Sequence, residues 1–218
     1  MPFNDLGKNS SLKSGTGGGV ASIITHIGVH TLTDPGTGTN ANAGEATGGS
    51  PAYARQAVTF GTPASGQVAN TGALTFDVPA GTYGFLTFWN TGGTGNTNNF
   101  LGYAPINGTV KGFGTVDTAG VTADAIQSAG HGLVDGDRVM LFNVFAESLP
   151  AGLTEGVIYH VVTAATDTFE VSLTSGGASV NITGSGELFF QKVIPETFGS
   201  QGQITVAVGA LVLDATGI

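Results

Sequence analysis

Leu74-Thr-Phe-Asp-Val-Pro-Ala-Gly-Thr-Tyr-Gly-Phe-Leu-Thr-Phe-Trp-Asn90 is the stretch whose reading decides the fold class. Leu74, Phe76 and Val78 alternate with Thr75 and Asp77, the period-two pattern of a half-buried strand. Pro79-Ala80-Gly81 interrupts it, because proline has no N–H to give a ladder and glycine tolerates positive φ. Tyr83 to Trp89 then carries a tyrosine, two phenylalanines and the only tryptophan of the chain. The stretch predicts two strands joined by a turn, an aromatic hairpin that holds the main core.

The composition agrees with a β protein. Glycine supplies 37 of 218 residues and charged residues only 10 %, against roughly a quarter in ordinary domains. Short strands joined by Gly and Asn turns fit that balance better than long helices. A hydrophobic fraction of 40 %, with thirteen phenylalanines, is enough to fill a core and argues against disorder. Two arginines and four lysines in a chain of net charge −9 cannot assemble the basic footprint that displaces counterions from nucleic acid. With no cysteine there is no disulfide, thiolate metal site or cysteine nucleophile. The start, Met-Pro-Phe-Asn-Asp-Leu-Gly-Lys, lacks the apolar core of a signal peptide, and no apolar run reaches the ~18 residues of a membrane span. The expectation is a product made in the cytoplasm without an export signal, with neither nucleic acid nor membrane as direct partner.

Along the chain, residues 1–19 are polar and end in Gly15-Thr-Gly-Gly-Gly19, the composition of a flexible arm. Val20 to Leu32 reads as a strand from its branched residues, Asp34 to Glu45 as a turn-rich loop, and Tyr53 to Phe60 as a further strand. A Thr/Gly/Asn loop at 91–99 separates the aromatic stretch from a strand at Phe100 to Ile106. Residues 1–111 hold four acidic and four basic residues, whereas residues 112–191 hold nine acidic and one basic, net −8. That acidic block has its own strands at Arg138 to Phe142, Val157 to Val162, Thr168 to Leu173 and Glu187 to Gln191. Gln203 to Val208 and Ala210 to Asp214 return without the acidic bias, and two short strands need a sheet to join. The domain expectation is therefore a flexible arm at 1–19, a discontinuous β-sandwich from 20–111 plus 192–218, and an acidic β module at 112–191 inserted into it.

Candidate chemistry is sparse. His26 and His30 sit four apart, but on a strand that separation spans about 13 Å, too far to share a metal; His131 and His160 stand apart from them. Gly36-Thr-Gly38-Thr-Asn-Ala41 matches the loose dinucleotide pattern, yet the residues after it, Asn42-Ala-Gly-Glu-Ala-Thr-Gly-Gly49, do not read as the helix that would hold a pyrophosphate. Asp135, Asp137, Glu147 and Glu155 offer either a Ca²⁺ site or a pair of acid/base carboxylates. Asp135-Gly-Asp137 is more simply a turn in which aspartate caps its own backbone. Asn9, Asn107 and Asn181 head glycosylation sequons, which carry little meaning without an export signal. The expectation is no catalytic, cofactor-binding or metal residue.

Three stretches resemble structural proteins of tailed bacteriophages: Thr25-His-Ile-Gly-Val-His-Thr-Leu-Thr-Asp-Pro-Gly-Thr37, Gly48-Gly-Ser-Pro-Ala-Tyr-Ala-Arg-Gln-Ala-Val-Thr-Phe60 and Ala73 to Thr82. Relatives of this module are labelled minor tail, tail-fibre-associated or head decoration proteins, and in them the last strands follow directly after the segment equivalent to Phe100-Leu-Gly-Tyr103. The block with His131-Gly-Leu-Val-Asp-Gly-Asp-Arg-Val139, Leu149-Pro-Ala-Gly-Leu153 and Asp167-Thr-Phe169 looks like a small β module that recurs in phage tail and fibre proteins. The resemblance implies a Greek-key or jelly-roll-like sandwich interrupted by that module. It also implies a non-enzymatic virion protein that decorates capsid or tail and packs against the major proteins of the particle. A homo-oligomer, with a trimer favoured, and an acidic module projecting into solvent complete that expectation. The alternative is a tail module that binds a host-surface glycan or receptor through outward-facing Tyr83, Trp89 and Tyr103.

Overall fold

The structure, a computed structural model, describes residues 23–62, 64–65, 67–93, 97–108, 110–117, 124–144 and 148–214. The proposed arm at 1–19 and Glu147 lie outside the described residues. The chain is all-β. It divides into two compact units, one from 1–104 together with 196–218, the other from 105–195. The acidic block at 112–191 falls inside the second unit, which holds nine acidic and three basic residues.

The first unit contains β1 (His26–Thr31), a short helix α1 (Gly38–Ala43), β2 (Gln56–Ala57), β3 (Gln67–Ala69), β4 (Leu74–Val78), β5 (Gly81–Trp89) and β6 (Phe100–Pro105). The second contains β7 (Lys111–Val116), β8 (Ile126–Gln127), β9 (Arg138–Phe142), β10 (Ile158–Val162), β11 (Thr168–Ser172) and β12 (Gly186–Val193). The chain then returns to the first unit with β13 (Glu196–Phe198), β14 (Gly202–Val206) and β15 (Val212–Asp214). Each returning strand pairs antiparallel with one from before the excursion: β13 with β5, β14 with β4 and β15 with β3.

β4 and β5 are strands, but they do not form a hairpin with one another. β4 pairs with β14, while β5 lies in a five-stranded sheet beside β1, β13 and β6. Their burial explains the separation. β4 alternates buried and accessible positions, as a strand with one wet face does, whereas all seven residues from Tyr83 to Trp89 are buried. A strand covered on both faces belongs inside a sheet, not at the end of a two-stranded ribbon. The rings of β5 pack edge-on to their neighbours, Phe85 at 5.6 Å from Tyr103 and Trp89 at 5.3 Å from Phe100, in geometry favoured by the ring quadrupole.

The stretch read as loop at 34–45 contains α1. Thr37 caps it by accepting the Asn40 amide on Oγ1 at 3.2 Å, which satisfies one of the otherwise unpaired first-turn donors. A Cβ on Gly38 would collide with the Thr97 backbone carbonyl. Close packing therefore accounts for this glycine, and six residues make no phosphate cradle.

The second unit is a closed barrel in the order β10-β11-β8-β7-β12-β9. Alternate side chains fill it, among them Leu141, Tyr159, Phe169, Val171, Leu188 and Phe190. Space for these side chains comes from β7, where Gly112 and Gly114 take inward positions. A Cβ there would sit 2.9 Å from Phe190 Cζ and 2.5 Å from Ile126 Cγ2, respectively. Pairing small against large is how a narrow barrel fits its taper.

Candidate functional site

A dense polar constellation lies in the first unit, around β5. Arg55 grips Glu45 with two parallel bonds, Nε to Oε1 at 2.7 Å and Nη2 to Oε2 at 2.6 Å, both partners shut off from solvent. Its Nη1 donates to the Gly93 carbonyl at 2.8 Å, and its guanidinium carbon lies 3.4 Å from the centre of the Trp89 ring. Planar stacking and a bidentate fork are what guanidinium provides and ammonium does not. Trp89 Nε1 donates to Thr87 Oγ1 at 2.9 Å. The Tyr53 hydroxyl donates to Glu45 Oε1 at 2.8 Å and accepts the Val29 amide at 2.9 Å. Burial first, and then the adjacent Glu45 carboxylate, push the Tyr53 phenol well above its ordinary range, so it stays neutral. Gly28 makes room for the whole assembly. A Cβ there would stand 2.7 Å from Thr87 Oγ1 and 2.8 Å from Glu45 Oε1.

A second buried knot fastens the segment from Ala207 to Leu211. Asn70 Nδ2 donates to the carbonyls of Gly72 and Ala207 at 2.7 and 2.9 Å, and its Oδ1 accepts the Leu211 amide at 2.9 Å. Its backbone adds Asn70 N to Leu211 O and Gly209 N to Asn70 O.

The histidines are dispersed in role. His26 and His30 both lie on β1. His26 meets Thr25 Oγ1 at 2.9 Å, and burial followed by the Arg55 charge lowers its pKa. His30 is fully buried, with its ring nitrogens 3.0 Å from the Asn40 carbonyl and 3.1 Å from that of Thr31. In the second unit, His131 accepts the Leu133 amide on Nδ1 at 2.9 Å and donates from Nε2 to the Thr168 carbonyl at 3.2 Å, which assigns the Nε2–H tautomer. His160 Nδ1 is buried without a hydrogen-bond partner among the described residues. Burial, and then Arg138, lower its pKa.

The aspartates of the second unit cap backbone. Asp135 Oδ1 accepts the Ala164 amide at 2.7 Å, and Asp137 Oδ2 accepts that of Val134 at 3.0 Å while pairing with Lys192 at 2.8 Å. Between them Gly136 takes φ 91°, the turn geometry that Asp-Gly-Asp favours. Asp167 and Asp124 do the same, for the Gly130 and Ile182 amides at 2.9 and 2.6 Å. Asp135 and Glu155 are exposed, so Asp135, Asp137 and Glu155 form no buried acid/base cluster. Among the described residues no group of three or more His, Asp or Glu side chains is arranged to hold a metal ion, and no helix is long and apolar enough to cross a membrane.

Tyr83, Trp89 and Tyr103 are 3, 0 and 4 % exposed. Sugar stacking needs open ring faces, and these three rings present none. Glu45, Arg55 and Asn70 carry no motif that picks them out in the sequence. The nearest signal is that one of only two arginines falls within a run that carries no other charge, Tyr53-Ala-Arg55-Gln-Ala-Val58.

Comparison with family models, with curated proteins and with solved structures finds no match to this chain.

Proposed function

We propose that the chain is a non-enzymatic accessory protein of a tailed-phage particle, attached to the capsid or tail by packing of its β surfaces. The resemblance of Thr25 to Thr37, Gly48 to Phe60 and Ala73 to Thr82 to virion modules supplies the class. The structural observation that supports it is where the polar groups go. Glu45, Arg55, Tyr53 and Asn70, with four aspartates of the second unit, bind partners within their own unit and fix strands and loops in place. Side chains arranged in this way serve a rigid scaffold, the property a particle component needs.

Quantitative mass spectrometry of purified particles, after heads and tails are separated, tests the proposal. Recovery with heads in hundreds of copies assigns capsid decoration, and a few copies travelling with tails assign a tail role. Absence from both overturns it.

A further inference from the structure

The outer face of the barrel carries a row of three phenylalanines. Phe113 on β7, Phe189 on β12 and Phe142 on β9 are direct cross-strand partners, with ring centres 5.4 Å apart for Phe113–Phe189 and 6.1 Å for Phe142–Phe189. Their neighbours in sequence, Leu188, Phe190 and Leu141, point into the barrel core. Phe142 is covered, but Phe113 is 65 % exposed, which makes it the most exposed large apolar side chain among the described residues. Phe189 beside it is half-buried. A phenylalanine held edge-to-face on such a neighbour yet open to water is a costly surface unless something covers it.

The charges around this pair indicate what covers it. Lys111 lies two positions before Phe113 on β7, and Glu187 two positions before Phe189 on the antiparallel β12. The register places Lys111 opposite Gln191 and Glu187 opposite Thr115. The two charges therefore occupy diagonal corners of a patch centred on the rings, and the remaining corners are uncharged. Lys111 and Glu187 are both exposed, and neither is in an ion pair among the described residues.

The geometry points to a second copy of this chain as the occupant, in a two-fold contact. An axis lying in the contact plane, passing through the Phe113–Phe189 pair and perpendicular to the Lys111–Glu187 diagonal, sets each lysine over the other copy's glutamate. Every contact then occurs twice, as an isologous interface requires. With strands ~4.8 Å apart and ~3.4 Å per residue, the diagonal runs about 20° off the strand direction, so the two sheets cross at about 40°. That is close to the ~30° at which twisted sheets pack face to face. The patch is small, so the contact is weak in free solution and gains strength where neighbours hold the copies together. It stands or falls apart from the virion proposal.

Sedimentation equilibrium of the full chain, across roughly 5 to 500 μM, tests it. The expected result is a mass rising from 21.7 kDa towards twice that value. Lys111→Glu or Glu187→Lys alone weakens association by roughly tenfold or more, because each reversal sets like charges together at both ends of the contact. Lys111→Glu combined with Glu187→Lys restores it, and Phe113→Ser abolishes it. All the substituted positions are exposed, and circular dichroism verifies that each variant folds. A mass that stays at 21.7 kDa overturns the inference, as does a trimer, or a dimer indifferent to these substitutions.

Discussion

Truncating Arg55 would leave the Glu45 carboxylate buried with only the Tyr53 hydroxyl to answer it. An uncompensated buried charge costs more than the pair contributes, so Arg55→Ala should destabilise the first unit by about 3–5 kcal/mol. Arg55→Lys keeps the charge but loses the fork and the stacking on Trp89, and should fall between wild type and alanine. Trp89, the only tryptophan, reports this unit alone, so urea unfolding followed by its fluorescence measures both changes. An Arg55→Ala variant within ~0.5 kcal/mol of wild type would show that the pair carries little. Asn70→Ala strips the donors from two carbonyls and the acceptor from the Leu211 amide, at a cost of about 2–3 kcal/mol on the same measurement. Tyr53 sets a pH limit. Its phenol is held protonated in the folded chain, whereas the unfolded chain ionises near pH 10. The unfolded state therefore releases protons first, and stability should fall as pH rises past 10. Denaturant midpoints at pH 9 and 11 should show the drop, and Tyr53→Phe should flatten it; an equal drop in that variant assigns the effect elsewhere.

At the scale of elements, the sequence carried the strands that alternate or that are bounded by turn residues. Arg138 to Phe142 and Leu74 to Val78 match β9 and β4 residue for residue, because a side chain's face is a local property with period two. Pairing is not local. Pro79-Ala80 reads as a hairpin turn, yet β4 finds its partner more than a hundred residues later in β14, and no pattern within either strand encodes that choice. β7 is hard to read from its residues because two of its inward positions are glycines, which hide the alternation a strand normally shows. α1 was obscured by the low helix propensity of Gly-Thr-Asn-Ala-Asn-Ala, with contacts to the rest of the unit deciding its state. The polar constellation was illegible for the same reason: Glu45 and Arg55 meet across a loop that no spacing rule describes. In β10, His160 carries a lowered pKa, so the unfolded chain binds a proton that the folded barrel resists. Stability from this group is present above about pH 6.5 and lost as pH falls. His160→Gln should reduce the decline between pH 7 and 5 of the barrel's own calorimetric transition, the one that Trp89 fluorescence does not follow; an unchanged decline would place its origin in other groups.

For the whole molecule, two cores on one chain imply two cooperative events. Each unit encloses its own buried set, around β5 in the first and inside the closed barrel in the second, and the three returning strands pair only within the first. Independent cores unfold as separate transitions when each is stable alone. Scanning calorimetry should then resolve two peaks, and substitutions should sort between them. Gly114→Val drives a branched side chain into the space held by Ile126 and Leu188, which costs about 1–3 kcal/mol or more and should lower only the barrel's transition. Arg55→Ala should lower only the other, the one that Trp89 fluorescence follows. A single peak moved by both substitutions would mean that the units unfold as one body, and the inserted module would then be a part of the scaffold's cooperative core instead of a guest within it.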